Sequence, residues 1–129
     1  MSKFSFIKSI TLKDIPENII FQGKKGRLIF RDNALYFGGF VDDKLISLIS
    51  LIIHKNKNAV IKTNFTLEGY RGQGFFTELN KYCLDYAWAQ GVKIITLNCL
   101  KDSLNIHLKQ GARVWKTTKT IYWMIYDKI

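Results

Sequence analysis

No apolar stretch in this chain is long enough to cross a bilayer. The longest, Leu45 to Ile53, spans nine residues, where a spanning helix needs about 20. The opening residues, MSKFSFIKSITLKD, lack the unbroken apolar core and small-residue cleavage site of a secretory signal. A soluble, cytoplasmic protein with no membrane partner is therefore expected. Cysteine is scarce: Cys83 and Cys99 have neither metal-site spacing nor a secreted context, and are expected as buried free thiols. Only His54 and His107 could join them, so no metal site is expected. Proline occurs once, at Pro16, and no repeat, linker or low-complexity segment interrupts the chain.

Negative charge is the other shortage, with 10 acidic residues against 20 basic and a formal charge of +10. Such an excess suits an anionic partner: nucleic acid, a phosphate-bearing cofactor or an acidic protein. Of the 20 basic residues 16 are lysine, and they form no tight run, so a solvated surface explains the excess equally well. What the chain does have is apolar bulk. With 129 residues, 47% hydrophobic, it can bury the core of one domain and is too short for two.

Phe4 to Leu12 alternates loosely as a first strand, and Asp14 to Phe21 reads as a short helix or turn before glycines at 23 and 26 break the chain. Strand patterns follow at Arg27–Phe30, Ala34–Val41, Lys44–His54 and Asn58–Leu67, separated by RDN, VDDK and HKNKN turns. The Leu45 to Ile53 run has too few polar residues for a half-exposed strand and is placed centrally. At Gly72 the period changes: Phe76, Leu79, Cys83, Tyr86, Ala87 and Gln90 follow helical spacing, closed by Gly91. Val92–Leu100 is a buried strand. Asp102 or Ser103 caps a brief helix ended by Gly111, and Ala112 to Tyr126 gives two strands around a turn at Lys116–Lys119. This order implies an α+β fold, a mixed sheet with helices packed on its faces.

Chemistry concentrates in YRGQGFF, Tyr70 to Phe76, between an apolar strand and a helix. A strand running directly into a helix exposes the helix's first N–H groups, which together with the helix dipole suit an anion. Gly72 and Gly74 let the main chain approach a phosphate closely, and Arg71 adds a fixed charge with fork geometry. The dinucleotide fingerprint fails because residue 77 is threonine, and a P-loop fails for want of a Gly-Lys-Ser/Thr ending. A pyrophosphate site or a merely tight turn are the two readings left.

The run Arg71, Gly72, Gln73, Gly74, Phe75, Phe76 resembles the R/Q-x-x-G-x-G/A motif of the GNAT N-acetyltransferases, with a strand before it and a long amphipathic helix after it. The later segment SLNIHLKQGA, Ser103 to Ala112, is similar to that family's A-x-x-x-Y-x-x-x-G-F, with Gly111 at the glycine. The resemblance runs from about Ala34 to the C-terminus. It implies a mostly antiparallel twisted sheet of six to seven strands with helices on both faces, and an acetyl-CoA site. The amides of Gly72, Gln73, Gly74, Phe75 and Phe76 would hold the pyrophosphate, while the main chain of Asn64, Phe65 and Thr66 would pair with the pantetheine arm as an added strand. Two positions depart from the pattern: Phe76 stands for a small residue, and His107 for the tyrosine that protonates the leaving thiolate.

The chemistry so implied is direct attack of an amine on the thioester, with no covalent enzyme intermediate. His107 is the candidate proton donor, because imidazole titrates near neutrality and leaves the helix on its sheet-facing side. No base stands out; Glu68 is the acid nearest the motif. Tyr36, Phe37, Phe40, Trp115, Tyr122, Trp123 and Tyr126 fall on strands expected to flank the acceptor cleft; most are expected in the core, though rings amid positive charge could stack a nucleobase. This keeps two alternatives open: a base modifier resembling the phage Mom group, which acts on adenine in DNA, and a module that binds acyl-CoA or nucleic acid without turnover. The acceptor is an amine, in a nucleic acid, a protein or another molecule, and the aromatic tail could support a homodimer.

Overall fold

The computed structural model describes residues 2–25, 28 and 30–127. In chain order the elements are β1 (Phe6–Ile10), a 3-10 turn (Leu12–Asp14), α1 (Glu17–Lys25), β2 (Leu35–Val41), β3 (Lys44–Ile53), β4 (Asn58–Thr66), α2 (Phe75–Ala89), β5 (Ile94–Cys99), α3 (Lys101–Lys109), β6 (Arg113–Thr117) and β7 (Tyr122–Asp127). The seven strands form one sheet in the order β1-β2-β3-β4-β5-β7-β6. Every neighbouring pair is antiparallel except β4 with β5. The mixed α+β architecture expected from the sequence is thus the one observed.

Hydrophobic pattern fixes each strand's place. Leu45 to Ile52 of β3 are all buried, as a central strand covered on both faces requires, whereas β4 alternates buried with partly exposed residues. Two-residue reach at Asp42 (φ 53°) closes the β2–β3 hairpin, and Asn56 Oδ1 accepts the Asn58 N–H to shape the next turn. Phe37 of β2 packs against Tyr82 and Tyr86 of α2. Its neighbour Tyr36 points to the opposite face, where it stacks on Phe30 and donates its hydroxyl to the Arg31 carbonyl. Helix α2 therefore covers one face, and Phe30 and Arg31 lie against Tyr36 on the other.

Several boundaries differ from the sequence reading. The first strand is shorter than Phe4–Leu12, since Phe4 leaves the ladder and buries its ring. The strand expected over Arg27–Phe30 falls partly outside the described residues; Leu28 and Phe30 are not in a strand, and the Leu28 N–H instead closes onto the Gly23 carbonyl at the end of α1. Helix α3 begins at Lys101 with Leu100 as its cap residue, so Asp102 and Ser103 lie in the first turn and cap nothing. Gly91 and Gly111 do end their helices, in left-handed conformations (φ 88° and 107°) that favour glycine.

Candidate active site

Strands β4 and β5 pair only at their starts, from Asn58 with Ile94 to Val60 with Thr96. Beyond Val60 they part, leaving one edge of Asn64, Phe65 and Thr66 without a strand partner among the described residues. The parting coincides with a break in the β3–β4 register, of the kind that bends a strand. Ile49 faces Asn64 but Leu51 faces Ile61, so β4 carries one extra residue opposite Ser50. The bulge would strand a buried backbone donor, and Ser50 Oγ accepts it: the Thr63 N–H lies 2.8 Å away. Three residues earlier on β3, Ser47 Oγ donates to the Phe65 carbonyl at 3.0 Å and bonds the Thr66 hydroxyl at 2.9 Å. Both serines are fully buried. Two polar residues in an otherwise apolar strand thus hold the bent half of β4 in place.

The parted strands open a cleft of about 690 Å³. Asn64, Phe65 and Thr66 form its β4 wall, and Arg71, Gly72 and Gly74 form its loop end. Gly72 and Gly74 have φ of 73° and 90°, and a Cβ on Gly72 would meet no atom within 4 Å, so the main chain lies open there. The first α2 ladder bond runs from the Glu78 N–H to the Gly74 carbonyl. The amides of Phe75, Phe76 and Thr77 precede that ladder and take no partner from it. Arg71 folds back on β4, its Nε–H donating to the Thr66 carbonyl at 2.8 Å with the guanidinium above the Phe65 ring.

Of the nine residues expected at the cofactor, Asn64, Phe65, Thr66, Arg71, Gly72, Gly74 and Phe76 line the cleft. Gln73 and Phe75 do not. The Gln73 side chain donates to the Gly69 carbonyl at 2.7 Å and braces the loop, while the Phe75 ring packs between Phe4 and Tyr70. The bulk of Phe76 is accommodated because its ring meets His107 edge-on.

His107 itself does not line the cleft. It is fully buried, with Nδ1 2.6 Å from the Tyr126 hydroxyl and Nε2 without a partner among the described residues. Burial pushes its pKa down to about 4, so the imidazole is neutral at pH 7, not poised near neutrality as its residue type suggested. Tyr126 also accepts from Asn80 of α2, and Gln110 links Asn80 to the Thr77 carbonyl. This polar group locks α3 against the first turns of α2. Burial pushes the Tyr126 hydroxyl up as well.

The α3 wall consists of Asp102, Ser103 and Ile106. These and the lining residues Tyr70 and Thr77 escaped the sequence reading, although Ser103 stands one helical turn before His107 and so shares its face. Glu68 borders a separate recess beside Lys44 and Arg71, not this cleft. None of the seven aromatics on the strands expected to flank the acceptor lines this cleft, and most are core or packed against it, as expected. Tyr36, Phe37 and Tyr126 are core, Phe40 stacks on Phe6, and Trp115 pairs with Trp123. Tyr122 packs against the core. Both cysteines are free and buried, and burial pushes Cys83 up to about 12. No helix among the described residues is long and apolar enough to cross a membrane.

A glycine elbow opening a helix beside two parted parallel strands is the arrangement expected of an acetyltransferase. The chain belongs to the acetyltransferase (GNAT) family, whose pattern it matches over residues 6–112. Its structure is similar to that of an IAA acetyltransferase from Bacillus cereus, with a TM-score of 0.81 and 13% identity over 95% of this chain and 99% of that one. It is also similar to a Bacillus subtilis acetyltransferase in complex with CoA (TM-score 0.78, 11% identity, 96% and 100% covered). A third is a GNAT family acetyltransferase from Elizabethkingia anophelis with acetyl-CoA bound (TM-score 0.74, 14% identity, 95% and 97% covered). At such identities the likeness is one of fold. No curated protein matches the chain by sequence.

Proposed function

We propose that this acetyltransferase carries the acetyl group of acetyl-CoA to an amine by direct attack. The observation that carries the reading is the joining of an open glycine elbow to the unpaired edge of β4 within one cleft. The amides of Gly72 to Phe76 and the Arg71 charge suit a pyrophosphate, with Gln73 and Phe75 contributing main chain only. The free edge of Asn64 to Thr66 suits an amide-bearing arm that pairs as a strand, and the buried Asn64 Oδ1, unpaired among the described residues, offers it a further acceptor. When bound, acetyl-CoA supplies an activated thioester: the amine nitrogen bonds to the carbonyl carbon, the C–S bond breaks, the nitrogen loses a proton and the sulfur gains one.

By resemblance to the family pattern, His107 is implied at the sulfur. Its burial behind Phe76 and its neutral state favour a different assignment, in which Ser103 supplies the hydrogen bond to the departing thiolate and His107 positions α3 through Tyr126. Asp102, a carboxylate in the cleft wall, belongs near the amine, because beside phosphates it would repel them.

The test is thiol release from acetyl-CoA with small-amine, peptide and oligonucleotide acceptors, alongside calorimetric CoA binding. Gly74→Glu puts a carboxylate into the elbow and is expected to weaken CoA binding by two orders of magnitude or so, from about 3 kcal/mol of repulsion. Unchanged affinity in that variant would refute the site.

A further inference from the structure

The N-terminal residues do not trail into solvent. The Lys3 N–H donates to Glu78 Oε1 at 2.7 Å, and the Ser2 hydroxyl donates to the other oxygen of the same carboxylate. Phe4 is buried, its ring 5.1 Å from that of Phe75. Gly39 makes the burial possible, because a Cβ on that β2 residue would collide with the Phe4 ring. One residue further on, the Ser5 N–H donates to the Phe40 carbonyl at 2.7 Å. Residues 2 to 5 are therefore tied, one after another, to the first turn of α2 and to the sheet.

This tether delivers a cation. The Lys3 stem crosses directly over Gly74: a Cβ on Gly74 would stand 2.9 Å from Lys3 Cε and 3.9 Å from its Nζ. Gly74 lines the cleft at the elbow, and Lys3 stands beside it at the rim, outside the lining residues. Lys3 makes no ion pair among the described residues, and Glu78 accepts from its main chain and from the Ser2 hydroxyl. Glu78 would otherwise place a negative charge in the first turn of α2, where an anionic ligand is to sit; two N-terminal donors partly offset it.

We infer that Lys3 is a cofactor-binding residue, whose ammonium, held over Gly74 by the docking of residues 2 to 5 on Glu78 and Phe75, contacts the pyrophosphate of CoA. The inference rests on the acetyl-CoA reading above. It adds a charge that the glycine motif does not contain and that lies some seventy residues from it in sequence. An exposed lysine-to-phosphate contact of this kind changes affinity by about three- to tenfold.

Calorimetric titration of the full chain with CoA and with dephospho-CoA, which keeps the pyrophosphate and lacks the ribose 3′-phosphate, tests it. Lys3→Met retains the stem and removes the charge. The expected result is an equal loss, about three- to tenfold, for both ligands, a shallower salt dependence, and recovery in Lys3→Arg. Lys13→Met makes the same charge change on the exposed 3-10 turn and is expected to bind as the parent chain does. Unchanged affinity of Lys3→Met for both ligands would overturn the inference, and so would a loss confined to CoA, which would put the ammonium at the 3′-phosphate. Failure of the parent chain to bind CoA at all would instead overturn the acetyl-CoA reading.

Discussion

Replacing Ser50 with alanine tests whether the contact at the β4 bulge holds the cleft open. The Thr63 N–H sits in a buried strand at a register break, and its bond to Ser50 Oγ is 2.8 Å long. Alanine fits the space of serine, so the change leaves almost no cavity and removes one acceptor. A buried N–H left without its partner costs about 1–3 kcal/mol. Taking about 2 kcal/mol as the central value, Tm should fall by roughly 6–10 °C for a chain of this size. Ser47→Ala provides the comparison: it deprives the Phe65 carbonyl of one donor, and a carbonyl with a second lone pair tolerates this better, so about 1 kcal/mol is expected. Urea unfolding of both variants measures the ratio, and CoA titration reads whether Asn64 to Thr66 have moved. Affinity should fall further in Ser50→Ala than in Ser47→Ala, because the bulge sets the direction of everything beyond it. If Ser50→Ala unfolds within about 0.5 kcal/mol of the parent chain and binds CoA as well, the serine does not maintain the parting of β4 from β5.

His107 makes acid stability a second measurement. Its folded pKa, about 4, lies below the ordinary 6.5, so the unfolded chain takes up this proton first. Stability from this group is complete above pH 6.5 and declines toward pH 4 at up to about 1.4 kcal/mol per pH unit. Urea midpoints between neutral pH and about pH 5 should fall more steeply in the parent chain than in His107→Phe; equal slopes would clear His107 of the effect. Ser103→Ala is expected to lower kcat by about tenfold with KM for acetyl-CoA little changed. Were kcat untouched in Ser103→Ala and abolished in His107→Phe with α3 still folded, the proton-donor assignment would return to the histidine.

What the sequence disclosed was local. The change from period 2 to period 3.6 at Gly72, with glycines where the main chain must turn left-handed, marked the elbow without any tertiary information. The central position of β3 was likewise legible from its apolar run. The two serines inside that run were not, because their meaning depends on a register break with a strand more than ten residues away. Asp102 and Ser103 have the spacing of cap residues, and only the earlier start of α3 at Lys101 turns them into cleft wall. The fate of His107 was set by Tyr126, nineteen residues later and on another element. Aromatics on alternating strands were legible as core for the most part, but not which element covers each: Phe37 meets α2 and Tyr126 meets α2 and α3, whereas Tyr36 stacks on Phe30 and Phe40 on Phe6.

The sealed thiols also govern how turnover can be watched. Cys83 is wholly enclosed and Cys99 nearly so, and burial raises both above the ordinary thiol range. A chromogenic disulfide reagent attacks thiolates that it can reach. Added to the folded protein, it should therefore stay colourless until free CoA-SH appears, and a slow colour rise in protein without acetyl-CoA would report exposure of Cys83 or Cys99 rather than chemistry.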